Sequence, residues 1–144
     1  MHFGGPELER CFRQKLPPQI LGSPSVVGID ATIAAWRAAQ PWLDSVIAQL
    51  DRNRAYVADF LAERLPSVDY RVPEATYFAW LDCTALGLPG HASRFFLKSA
   101  KVALSDGRDF SSYTADFVRL NFATSPAILD ALLERMAAAV AECG

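Results

Sequence analysis

Apolar positions along the chain repeat with two periods, and the change from one to the other divides the sequence. Pro6 to Lys15 places Pro at a first helical position, Glu7 and Glu9 early, and Arg13 and Lys15 late. That order suits a helix dipole and predicts a first helix. Pro17-Pro18 and Leu21-Gly22-Ser23-Pro24 break the pattern. Val26, Ile29, Ile33 and Trp36 then resume helical spacing and predict a helix over about Pro24 to Ala39. Pro41 interrupts it. Beyond that point Leu43, Val46, Ile47, Leu50, Val57, Leu61 and Leu65 keep one stripe while Asp51, Arg52, Asp59 and Glu63 fall elsewhere, so a long helix is expected from Trp42 to Leu65, stopped by Pro66.

The second half shifts toward strands. Asp69 to Val72 and Tyr77 to Asp82 read as two short ones, the latter nearly continuous in apolar and aromatic residues as a covered strand should be. Gly87, Pro89 and Gly90 mark a loop, and Ala92 to Lys101 fits an amphipathic helix. A short apolar run, Val102-Ala103-Leu104, precedes the turn chemistry of Ser105-Asp106-Gly107. Phe117 to Phe122 predicts another strand. After Ser125, a candidate cap ahead of Pro126, a last helix carries Ile128, Leu129, Leu132, Leu133, Met136 and Val140 on one face. The expected order is three helices, then strand, strand, helix, strand, strand, helix. This is an α/β chain in an α+β arrangement, with helices covering a small sheet and a long helix before it.

With 144 residues, 51% of them hydrophobic, the chain can build one core of ordinary size. Its formal net charge of −2 supplies no basic field, which argues against nucleic acid or an anionic membrane as partner. No apolar run approaches a membrane span, and MHFGGPELER lacks the pattern of a signal peptide. Cys11, Cys83 and Cys143 form an odd set without C-x-x-C spacing, so a reducing, cytoplasmic compartment is expected. Lysine is scarce: only Lys15, Lys98 and Lys101.

Alternation in the Phe117 to Phe122 strand puts Val118, Leu120 and Phe122 on one face and Phe117, Arg119 and Asn121 on the other. An arginine flanked by apolar residues loses hydration, and its planar fork is best matched by a carboxylate held through two parallel hydrogen bonds. A ligand's carboxylate is one reading of Arg119; an internal ion pair or an edge arginine facing water is the other. The aromatic strand Tyr77 to Asp82 reads most simply as buried structure. The loop Asp106-Gly107-Arg108-Asp109-Phe110 could present backbone to a ligand, and a plain surface turn explains it equally well. His2 and His91 lie too far apart for metal-ligand spacing, so no metal is expected. Cys83 follows an apolar strand, where an inert thiol is usual. Gly4-Gly5 is too little for a phosphate loop.

The segments GSPSVVGIDATIAAW, PEATYFAWLDCTALGL, KVALSDGRDF and FVRLNFATSPAILDALLERM, in this order and spacing, resemble the C-terminal portion of fold-type I pyridoxal-phosphate enzymes of the class I/II aminotransferase superfamily. The likeness is strongest to the MalY/PatB branch of cystathionine β-lyases and related carbon–sulfur lyases. It covers nearly the whole chain from about Pro6. The resemblance implies that Arg119 binds an amino acid's α-carboxylate, with Asn121 beside it. It also implies a homodimer in the full-length form, whose interface loop, here Ser23 and Ser25, approaches the neighbouring active site. Residues 1–40 would be the end of a large domain with that loop and helix, and residues 41–144 a long connecting helix and small domain. The family's Schiff-base lysine sits in a Ser-x-x-Lys-like segment that none of the three lysines matches. No catalytic residue and no bound cofactor are therefore expected in this chain alone. An aminotransferase, or a standalone binding or dimerisation module without chemistry, are the alternatives.

Overall fold

The computed structural model describes residues 4–16 and 22–143; Pro17, Pro18, Leu21 and His2 lie outside them. The chain divides into two compact units, residues 1–43 and 44–144. In the first, α1 (Pro6–Lys15) has Pro6 in its opening turn, and Arg13 reaches back one turn to Glu9 at 2.8 Å. The helix α2 (Val26–Ala38) starts two residues later than the sequence suggests, because Ser25 caps it by accepting from the Gly28 N–H at 2.9 Å. Neither helix buries a side chain. The long helix α3 (Gln40–Arg64) follows after Ala39 alone, with Pro41 in its first turn, where a missing N–H costs nothing.

In the second unit, α3 buries Asn53, Val57, Phe60 and Leu61. Four strands form one antiparallel sheet: β1 (Asp69–Tyr70), β2 (Phe78–Asp82), β3 (Ser105–Asp106) and β4 (Phe117–Asn121), in the order β1-β2-β4-β3. Register pairs Ala79 with Leu120 and Leu81 with Val118, and all four are buried. This face joins Val57, Leu61, Phe96 and Phe122 and the α5 (Pro126–Ala141) residues Leu129, Leu133 and Met136 in one apolar core. Ser125 caps α5 as its sequence predicts.

Other elements also differ from the sequence reading, and β1 ends at Tyr70 rather than Val72. The run Val102-Ala103-Leu104 does not pair; the strand lies at Ser105–Asp106, which the sequence marks as a turn. The expected Ala92 to Lys101 helix is α-helical only as α4 (Ala92–Phe95) and widens to a π-type turn over Phe96–Ala100. Ser99, four residues beyond buried Phe95, is exposed in this wider turn, while Phe96 and Ala100 are buried. Finally, β2 is not covered on both faces: Ala79 and Leu81 are buried, whereas Phe78, Trp80 and Asp82 are half-buried. Among the described residues no helix is long and apolar enough to cross a membrane.

One buried amide ties these layers together. Asn53, 3% exposed, donates from Nδ2 to the Phe122 carbonyl at 2.8 Å and the Thr124 carbonyl at 2.9 Å, while its Oδ1 accepts from Gln49. The bonds fasten α3 to the chain leaving β4, adding a side-chain donor to the Phe122 carbonyl and supplying one to that of Thr124. Asn53→Ala removes the amide from both carbonyls, leaving that of Phe122 with the Thr124 N–H at 2.9 Å, and is expected to lower stability by about 1–3 kcal/mol in urea denaturation. An unchanged midpoint would show that water replaces the amide at no cost.

Candidate functional site

The face of the sheet opposite the core is where the structure gathers unusual chemistry. β4 is central, paired to β2 and β3, so Arg119 sits with Trp80 as its register partner on one side and Ser105 on the other. The guanidinium is half-buried. Its Nη2 donates to the Ser105 hydroxyl at 3.3 Å, and its central carbon lies 4.2 Å from the centroid of the Phe78 ring and 4.9 Å from that of Phe110. The wall continues through Trp80, which meets Phe110 edge-on at 5.2 Å and stacks on Phe117 at 5.6 Å.

What the guanidinium lacks is a counter-charge. Arg119 forms no ion pair with any described residue, and its Nε is buried without a hydrogen-bond acceptor. By contrast Arg54, Arg64 and Arg108 are each matched to a carboxylate on the surface. Ring faces attract a cation but accept nothing in its plane, so Arg119's in-plane donors are left largely unspent. A desolvated arginine with free in-plane donors has one best complement, a carboxylate or similar planar anion.

The surroundings keep Asp106, on the neighbouring strand, out of that role. Asp106, one residue from Ser105, accepts from the Arg108 side chain at 2.6 and 3.0 Å, from the Arg108 N–H at 2.9 Å and from the Ser93 hydroxyl at 2.6 Å. The Arg108 hydrogen bonds, and then that of Ser93, hold the Asp106 carboxyl well below the usual carboxylate range. Next to it Gly107 is buried, and a Cβ there would lie 1.9 Å from the Thr114 carbonyl oxygen, so no other residue fits without moving the loop.

The other sequence candidates are scattered. Asn121 is exposed at the end of β4, two residues from Arg119, and its Oδ1 accepts from the Ala123 N–H at 2.8 Å. Ser25 is occupied as the α2 cap, and Ser23 is exposed in the same unit. Burial first, then Asp82 and Asp116, pushes the Cys83 thiol up to about 12, which leaves it inert. No group of three or more His, Cys, Asp or Glu able to hold a metal occurs among the described residues. Lys98 and Lys101 are exposed, and the Lys101 ammonium donates to the Lys98 carbonyl. The residues that sequence reasoning missed are Ser105, Phe78 and Phe110. Period-two alternation from Trp80 would have found Phe78; Phe110 ends the loop that the sequence offers as a possible ligand contact through its backbone, but its ring reaches Arg119 only by folding of that loop.

No protein-family model matches the chain. It is 34% identical over 130 residues to the cystathionine beta-lyase PatB of Bacillus subtilis, covering 90% of this chain and 34% of that protein. It is 36% identical over 102 residues to the protein MalY of Escherichia coli, covering 70% of this chain and 26% of that one. Cystalysin from Treponema denticola, whose crystal structure contains a pyridoxal 5'-phosphate cofactor, superposes with a TM-score of 0.88 at 25% identity, over 99% of this chain and 36% of its own. The chain thus spans about a third of the length of the curated relatives it matches.

The Asp106 cluster has a pH signature. A carboxyl whose pKa is lower folded than unfolded adds stability above its unfolded value, about 3.9, and loses it as pH falls through that value toward the folded one. Urea midpoints are therefore expected to fall below about pH 4 and to fall less steeply in Asp106→Asn. Equal slopes in the two proteins would show that the cluster does not report on folding.

Proposed function

The chain is homologous to the C-terminal portion of pyridoxal-phosphate-dependent, class I/II aminotransferase-like enzymes of the cystathionine β-lyase branch, and from that premise we propose that it serves a carbon–sulfur β-lyase acting on amino acids, in which Arg119 grips the substrate's α-carboxylate. The observation carrying this reading is the half-buried guanidinium with no described counter-ion and a buried Nε without an acceptor. A carboxylate would satisfy the charge and the in-plane donors together. Fixing one end of an amino acid in this way orients the Cα bonds that must break, an effect that can supply several kcal/mol of barrier lowering.

The cofactor of the relatives, when bound, supplies an electron sink for charge developing at Cα. The described residues do not fit that group. Covalent capture of its aldehyde needs an amine whose proton is easily lost, as desolvation provides, whereas Lys15, Lys98 and Lys101 are exposed. The chain's share of the work is therefore substrate orientation, and by itself it is inactive. Residues 1–40 supply the end of a large domain and its interface loop, with Ser23 and Ser25 near a second subunit's site. Residues 41–144 supply the connecting helix and small domain. Three free cysteines support a reducing cytoplasm.

Partner surface is the second support for an assembled, homodimeric enzyme. In the first unit Val26, Val27, Trp36 and Trp42 are 74%, 79%, 86% and 67% exposed, more apolar surface than a finished monomer displays. Sedimentation of the chain is expected to show concentration-dependent association; a single monomer boundary at all concentrations would speak against it. For the site, Arg119→Lys in the complete enzyme is expected to reduce kcat/KM about 10- to 150-fold, the equivalent of ~1.5–3 kcal/mol for charged hydrogen bonds lost, mainly through KM. Kinetics indistinguishable from the parent would return Arg119 to a purely structural part.

A further inference from the structure

Of the two rings on Arg119, one comes from the sheet and the other from the surface, and the second lacks an obvious reason to be there. Phe78 belongs to β2 and is half-buried by its neighbours. Phe110 is 51% exposed, at the end of a short turn, yet its ring is held 4.9 Å from the guanidinium carbon and edge-on to Trp80. Core formation does not need it. The loop is nevertheless tightly built: the Gly107 carbonyl accepts from the Phe110 N–H at 3.0 Å, the Ser111 N–H at 3.3 Å and the Thr114 hydroxyl at 2.7 Å. Asp106 fixes the loop's other edge through Arg108.

The geometry points to Phe110 as a positioning residue for Arg119: its ring, with that of Phe78 and the Ser105 hydroxyl, sets the plane of the guanidinium and keeps water off it, so that the N–H edge meets a substrate carboxylate already aligned. This rests on the carboxylate reading of Arg119 and adds to it a residue that touches the substrate only through the arginine. A ring face holds a cation without competing for its in-plane donors, which a carboxylate or amide neighbour would do. The buried Nε without an acceptor fits a group kept dry before any ligand arrives. Orientation set before binding is not paid for during it.

The test combines kinetics of the complete enzyme with NMR of this chain. Phe110→Leu keeps an apolar side chain without the ring face, and is expected to raise KM for the amino-acid substrate about three- to fivefold with little change in kcat. Phe110→Tyr restores the parent value. In an Arg119→Lys background Phe110→Leu should add nothing further, because the two act as a unit. In the chain itself, the Arg119 Nε–H signal should be shifted by ring current and slow to exchange with water, and Phe110→Leu should abolish both properties. A substantial Arg119→Lys effect with a harmless Phe110→Leu, or equal Phe110→Leu effects in both backgrounds, overturns this inference alone. An unaltered KM in Arg119→Lys sinks the carboxylate reading and this inference with it.

Discussion

A central strand has two faces and must commit both. β4 is paired along each edge, so its backbone is spent on hydrogen bonds and only its side chains can respond to their surroundings. Val118 and Leu120 go to the core, and alternation then leaves Arg119 no alternative to the aromatic face. A one-residue slip would bury the guanidinium in the core and expose two aliphatic side chains, so the packing of one face guarantees the placement of the charge on the other.

That guarantee needs fixed ends. Asn53 supplies one by holding the carbonyls of Phe122 and Thr124 just past β4, through an amide donated from α3. Gly107 supplies the other, since only a residue without Cβ lets the chain pass so close to Thr114 and Phe117. Between them the strand, its partner β3 and the loop bearing Phe110 are held from both sides. The hydrophobic core makes the unit stable, and these two polar and steric details aim it.

Sequence periodicity made much of this legible. The long helix was readable because Leu50, Val57, Leu61 and their neighbours repeat at helical spacing, and the facing of Arg119 because Val118, Leu120 and Phe122 alternate around it. The β3 strand was hidden, since two residues are too few for a period and Ser105-Asp106-Gly107 carries turn chemistry that the structure does use, one residue later. Widening of the helix after Phe95 was hidden because an amphipathic run carries no local mark of its pitch. Phe110 and Ser105 reach Arg119 across sequence distance, where local pattern is silent. The motif likeness pointed to Arg119, but not to the rings that lie over its guanidinium.

The three indoles of the chain are distributed in a way that makes the protein its own optical probe. Trp36 and Trp42 stand in solvent in the first unit, whereas Trp80 lies half-buried against Phe110 and Phe117 on the arginine face. In the monomer, emission from the first two is long in wavelength and open to quenching by dissolved iodide. The shielded third contributes a bluer component. Light from that component comes from one sheet face alone, and replacing the two outer indoles with phenylalanine would isolate it without attaching any dye.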